Sequence, residues 1–101
     1  MEFYVKTYQD GNERLLAVCD SEIRDEVLIH NGVKIRVKGE FYGSDLYSAH
    51  DLLSEIPKST SINAFGTNIC NLLIKEKIIH PATVLWITHG DRKVGHAIVV
   101  K

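Results

Sequence analysis

The stretch SINAFGTNICNLLIKEK, Ser61 to Lys77, decides how this chain is read. Ile62, Phe65, Ile69, Leu72 and Leu73 recur at intervals of three and four residues, the period of one helical face. The spacing predicts a helix from about Ser61 to Lys77, with Ser59 or Thr60 as its cap. Gly66 falls inside that helix at a cost of roughly 1 kcal/mol relative to alanine, which close approach of another backbone would repay. Upstream, Leu46, Ala49, Leu53 and Ile56 repeat in the same way. Ser44 stands as the cap of this first helix, Asp45 suits its first turn, and Pro57 restrains Ile56 and marks its end.

The flanking segments read as strands. Phe3, Val5 and Thr7 alternate with Tyr4, Lys6 and Tyr8, and Asp10-Gly11-Asn12 supplies a reversal before the apolar run Leu15 to Cys19. Residues 2–8 and 14–19 are therefore an antiparallel hairpin, its second arm covered on both faces. Residues 20–26 are charged and break the pattern. Val27 to His30 and Val33 to Lys38 flank Asn31-Gly32, the strongest short hairpin signal in the chain. In that second arm Val33, Ile35 and Val37 alternate with Lys34, Arg36 and Lys38. Thr83 to His89 and Arg92 to Val100 form a last hairpin across Gly90-Asp91, which sets Ile87 opposite Val94 and Leu85 opposite His96. Both faces of this hairpin are apolar, which suits a central position in a sheet or a subunit interface. The order ββ, ββ, αα, ββ predicts an α+β fold: an antiparallel sheet of hairpins with two helices packed on one face and the reverse face available for contact.

Composition narrows the class. The chain has 101 residues, 45% hydrophobic, and 12 basic against 13 acidic side chains, a formal charge of −1. These values suit one α+β domain over residues 1–101 and exclude long disorder, collagen-like repetition and a disulfide scaffold. Residues 1–50 carry 6 basic and 9 acidic groups and residues 51–101 carry 6 and 4, a mild asymmetry of −3 and +2. Tight nonspecific gripping of duplex nucleic acid needs clustered excess positive charge, which is absent; a local basic patch is compatible with this balance. The apolar runs are far shorter than the ~20 residues that span a bilayer, and the start lacks the plan of a secretion signal, so the expectation is a cytoplasmic protein with no membrane partner.

Several phrases match a known family. Val5 to Tyr8 (VKTY), Leu15 to Glu22 (LLAVCDSE), Gly39 to Gly43 (GEFYG), Thr60 to Gly66 (TSINAFG), Ile78 to Pro81 (IIHP) and Gly95 to Val100 (GHAIVV) follow one another in order across nearly the whole chain. In these the chain resembles the archaeal uncharacterised proteins of the domain of unknown function 424 family. Two positions depart: the family usually has proline where this chain has Gly95, and glycine at the end of the second helix where this chain has Lys77. The resemblance implies a small α+β cytosolic protein without an established activity, linked to RNA or translation. Its recurring positions fall on Phe41, Tyr42, Gly43, Asn63, Gly66 and His96.

Among candidate site residues, His96 reads either as a neutral core histidine or as a site residue poised near neutral pH, with Asn63 or Tyr42 as partner. Asn63, Thr67, Asn71 and Lys75 fall on one helical row, either a solvated face or a hydrogen-bonding face for a base, a peptide or another subunit. The stripe Lys34, Arg36 and Lys38, with Tyr4, Lys6 and Tyr8, offers a sheet surface for single-stranded RNA, cations meeting phosphates and rings stacking on bases. The same lysines on a solvent-facing strand also discourage edge-to-edge aggregation. Cys19 and Cys70 sit in apolar stretches as small hydrophobes. The five histidines show no i, i+4 pair, and FYGSD lacks the lysine of a phosphate loop, so neither a metal nor a cofactor is indicated. The function expected is a non-enzymatic binding module for RNA or a translation-related protein. The alternatives are a protein that self-assembles through its C-terminal hairpin into a homo-oligomer and a small enzyme centred on His96.

Overall fold

The computed structural model describes residues 1–101. Strands β1 (Glu2–Asp10) and β2 (Glu13–Asp20) form the first hairpin, turning through Gly11 and Asn12. A second hairpin, β3 (Val27–His30) and β4 (Val33–Arg36), turns through Asn31 and Gly32, both at positive φ as a two-residue turn of this hand requires. The one-turn helix α1 (Gly39–Tyr42) leads to β5 (Asp45–Ser48) and α2 (Ala49–Glu55). Strand β6 (Ser61–Phe65) runs into α3 (Thr67–Lys75), and β7 (Leu85–His89) and β8 (Arg92–Val100) close the chain. The main sheet has the order β5-β1-β2-β6-β8-β7, and all its neighbours are antiparallel except the parallel pair β2–β6. The fold is α+β.

The sheet separates two apolar layers. On one side α2 and α3 bring Leu52, Ile56, Ile69 and Leu73 onto Phe3, Val5, Leu16, Val18, Ile62 and Ala64. On the other, the β3–β4 hairpin and α1 bring Leu28, Val37 and Tyr42 onto Ala17, Cys19, Phe65, Ile87 and Val94. Strand β2 is thus covered on both faces, as its apolar run requires. The reverse of the sheet, expected to be open, is partly roofed by the chain's own second hairpin. That hairpin is docked through its edge: Thr88 N–H donates to His30 Nδ1 at 3.1 Å, and Ile29 N–H donates to His89 Nδ1 at 2.9 Å.

Several expectations are corrected. Residues 61–65 are a strand at the sheet centre, not the first turns of a helix; Ser61 and Asn63 alternate with Ile62 and Ala64, but the run is short and the apolar Phe65 on the polar face lets Ile62, Phe65 and Ile69 mimic a helical stripe. Ser59 Oγ donates to Ile56 O and Thr60 Oγ1 accepts from Arg14 N–H, so neither caps a helix. Asn63 leaves the row of Thr67, Asn71 and Lys75, because it belongs to β6. The helix expected from Ser44 begins only at Ala49, and Ser48 Oγ, not Ser44, accepts the Asp51 N–H at 3.1 Å. The terminal hairpin has the expected register, Ile87 opposite Val94 and Leu85 opposite His96, but β7 is an edge strand. Its apolar faces are covered within the chain only in part: Ile87 and Val94 meet the second hairpin's layer and Val84 and Ala97 meet Cys70 of α3, while Leu85, Ile98 and Val100 stay exposed.

Gly66 is not inside a helix either. It is the hinge between β6 and α3, at φ +135°, where a Cβ would sit 2.2 Å from Asp20 Cγ. Asp20, 2% exposed at the end of β2, accepts hydrogen bonds from the first-turn amides of Asn68 (2.8 Å) and Ile69 (2.9 Å). At the other end of α3, Lys77 takes φ +60°; its N–H reaches Ile74 O and that of Ile78 reaches Leu73 O, the pairing of a Schellman cap. Lysine there occupies a conformation that costs roughly 1–2 kcal/mol for a residue with a Cβ.

Two outcomes follow. Lys77→Gly should raise the unfolding free energy in urea by about 1 kcal/mol, the relief of that left-handed conformation. Burial pushes the Asp20 carboxyl up to about 6 from 3.8, against the opposing pull of the two amides. The folded state therefore holds this proton more tightly than the unfolded chain, and Asp20 makes stability fall as pH rises from 3.8 to 6. Carboxyl-carbon NMR should place its midpoint near 6, and Asp20→Asn should remove that part of the slope. A midpoint near 4 would contradict this account.

Candidate functional site

Strand parity assembles the site. With Ile62 and Ala64 facing the helices, Asn63 and Phe65 face the opposite side, and the β6–β8 register sets Phe65 beside His96. Helix α1, entering from β4, lowers Phe41 and Tyr42 over them. Together with Arg36 and Lys38 these residues enclose a cleft of about 280 Å³. That is just below the ~300 Å³ at which pockets for drug-sized ligands begin, so it suits one ring system with its substituent.

The walls of the cleft are held by rings. His96 lies against Phe65 at 4.7 Å between centroids and 33° between planes, and Tyr42 meets Phe65 edge-on at 6.4 Å. Phe41 meets Tyr42 edge-on at 4.9 Å, and Tyr8 stacks on Phe41 at 5.3 Å while its hydroxyl donates to Phe41 O at 2.6 Å. The polar centre is Asn63. Its Oδ1 accepts from Tyr42 Oη at 2.8 Å and lies 3.3 Å from His96 Nε2. Burial lowers the His96 pKa and pushes the Tyr42 phenol well above its ordinary value. Burial thus favours the neutral imidazole, and an Asn63 oxygen facing Nε2 matches the tautomer that carries its proton there.

The two cations at the rim differ. Arg36 is engaged, with Nη1 on Glu40 Oε1 at 2.8 Å and Nη2 on Asp25 Oδ1 at 3.1 Å; the Arg36 guanidinium in turn holds the Glu40 carboxyl down to about 2. Lys38 forms no ion pair and is exposed. Lys34 lies on β4 opposite Ile29 and does not line the cleft. The stripe of Lys34, Arg36 and Lys38 does not join Tyr4, Lys6 and Tyr8 in one sheet surface, because β4 belongs to the separate two-stranded hairpin. Tyr4 instead lies under the Arg24 guanidinium at 5.0 Å, and Lys6 Nζ lies 5.2 Å from the Tyr8 ring.

Of the residues singled out in the sequence, Phe41, Tyr42, Asn63, His96, Arg36 and Lys38 converge. Gly66 does not: it serves the β6–α3 hinge. Gly43, at φ +79°, ends α1 and lines a separate groove of about 380 Å³ with Lys6, Thr7 and Asp45, open and largely polar. Phe65 was missed, read as a helix core residue; its signal is the alternation Asn63, Phe65 against Ile62, Ala64. Cys19 and Cys70 are buried, and burial pushes both thiols up to about 12, which leaves them unreactive. No three His, Cys, Asp or Glu side chains converge as metal ligands would. No helix is long and apolar enough to cross a membrane.

Fold and site together define a small α+β sheet protein with a ring-lined cleft where a second hairpin meets the sheet. Residues 8–99 match the family described as Protein of unknown function (DUF424), and the chain belongs to that family. The crystal structure of an uncharacterized conserved protein from Methanopyrus kandleri is similar at a TM-score of 0.75 and 17% identity, covering 98% of this chain and 90% of that one. That likeness concerns the fold. No curated protein matches the chain.

The buried imidazole has a measurable consequence. Its folded pKa lies below the ordinary 6.5, so the unfolded chain takes up the proton first, and His96 makes stability fall as pH drops through 6.5. Ring-nitrogen NMR at pH 6.5 should show His96 neutral and protonated at Nε2; a mainly protonated ring there would contradict the geometry.

Proposed function

We propose that this protein is a non-enzymatic binding module for single-stranded RNA, which takes one base into the cleft. The observation that carries the reading is the convergence of an aromatic cluster, an anchored amide and an unpaired lysine in a space of about 280 Å³. Rings stack on unpaired bases, amides meet their edges and a cation meets the adjoining phosphate. The near-neutral chain fits a local single-strand contact better than a grip on many duplex phosphates. A binding role also suits the chemistry around His96: the Tyr42 proton is committed to Asn63, and both thiols are buried away from solvent.

A second reading, self-association, is favoured by Leu85, Ile98 and Val100. They are 56%, 65% and 81% exposed on the face that carries His96, beyond the reach of the second hairpin. Light scattering across concentrations tests it, and a strictly monomeric protein at high concentration would remove it.

For RNA binding, Lys38 should matter more than Lys34. Fluorescence anisotropy at low salt with a short oligouridylate should show Lys38→Glu weakening binding roughly three- to tenfold, with Lys34→Glu close to the unaltered protein. Equal affinities for Lys38→Glu and the unaltered protein would overturn the placement of the phosphate.

A further inference from the structure

The hydrogen-bonding inventory of the cleft is unequal between the two ends of one side chain. Asn63 Oδ1 receives the Tyr42 hydroxyl at 2.8 Å and faces His96 Nε2 at 3.3 Å, so its accepting capacity is used within the protein. The nitrogen of the same amide has no partner in the protein, yet it is not among the buried polar atoms left unpaired, so it faces the open cleft. His96 is in the same condition: Nε2 is turned to Asn63 and Nδ1 makes no hydrogen bond. An amide donor of Asn63 and an unpaired ring nitrogen of His96 therefore both border the ring-lined cleft. A phosphate would use only the donor and an apolar group neither, whereas the edge of a nucleobase presents a donor and an acceptor on neighbouring atoms.

We propose that Asn63 is the base-reading residue of the cleft: its amide nitrogen donates to a ring nitrogen or carbonyl oxygen of an RNA base, and Tyr42 and His96 are positioning residues that hold the amide in that orientation. This rests on the RNA reading above and adds to it that affinity depends on the base as well as on the phosphate. Turning Asn63 over would make the Tyr42 hydroxyl an acceptor, leave its proton without a partner in the protein, and require the other His96 tautomer. The donor is therefore preset before the ligand arrives, which lowers the ordering cost of binding.

The test compares, by fluorescence anisotropy, a short oligouridylate with the same strand carrying abasic riboses. For the unaltered protein the abasic strand should bind at least about tenfold more weakly, the scale of one well-placed base contact. Asn63→Asp keeps an oxygen for Tyr42 and His96 but presents a second oxygen to the cleft, and the ratio between the two strands should fall several-fold, what remains being the stacking of the base on the rings. An added negative charge that merely repelled phosphate would weaken both strands alike and leave the ratio intact. Tyr42→Phe, which frees the amide to rotate, should give a ratio between those two, and an unchanged ratio would overturn its positioning role. An unchanged ratio in Asn63→Asp would overturn base reading by Asn63 while leaving RNA binding in place, and a ratio near one in the unaltered protein would overturn entry of a base into the cleft as well. Failure of the unaltered protein to bind either strand would overturn the RNA reading itself. The comparison of strands on the unaltered protein needs no variant to fold.

Discussion

A carboxylate shut away from solvent ties the middle of this molecule together. Asp20 ends β2, and because β2 and β6 run parallel with Cys19 beside Phe65, that carboxylate lies where β6 gives way to α3. Removing a carboxylate from water is costly, and the two amides of the α3 first turn offset part of the cost by pairing with its oxygens. The arrangement leaves no room for a side chain at residue 66, which is why a glycine at φ +135° makes the turn. It also fixes where α3 begins, and hence which residues of β6 face away from the helices.

Those residues are the ones that matter for the cleft. Asn63 and Phe65 are presented to the side of the sheet opposite α2 and α3, and His96 joins them by register. Tyr42 arrives from a four-residue helix that has little stability of its own. It is held there by its hydroxyl on Asn63 and by rings on both sides, so one polar contact serves both to seat the helix and to orient the amide. The cleft is thus a joint between two sheets, floored by the larger and rimmed by the chain leaving the smaller.

Reading the chain without coordinates recovers much of this and fails in one place for a physical reason. Turn chemistry at Gly11-Asn12, Asn31-Gly32 and Gly90-Asp91 is local, so all three hairpins and the pairing of Leu85 with His96 are legible. Ser61–Phe65 is not, because its alternation of Ser61 and Asn63 with Ile62 and Ala64 lasts only four residues before the apolar Phe65 breaks it. The spacing of Ile62, Phe65 and Ile69 then mimics a helical face across what is a strand–helix boundary. Gly66 is the sign of that boundary, and the internal cost it would impose on a helix is the clue that the longer helix overlooks. The convergence of Phe41, Tyr42, Asn63 and His96 needs the parallel β2–β6 crossover, a contact between segments far apart in sequence. Lys34, Arg36 and Lys38 look equivalent as a pattern; only the positions of Glu40 and Asp25 separate the engaged arginine from the unpaired lysine.

The pairing of His30 and His89 with each other's strands reaches beyond the docking of one hairpin. Outward-facing amides on a terminal strand are what a stray extended chain would seize first, lengthening the sheet molecule by molecule. Here the amide of Thr88 and that of Ile29 are each already satisfied by an imidazole from the opposite rim. Two borders that would each invite propagation into a fibril are spent on one another, and growth in that direction is denied a template.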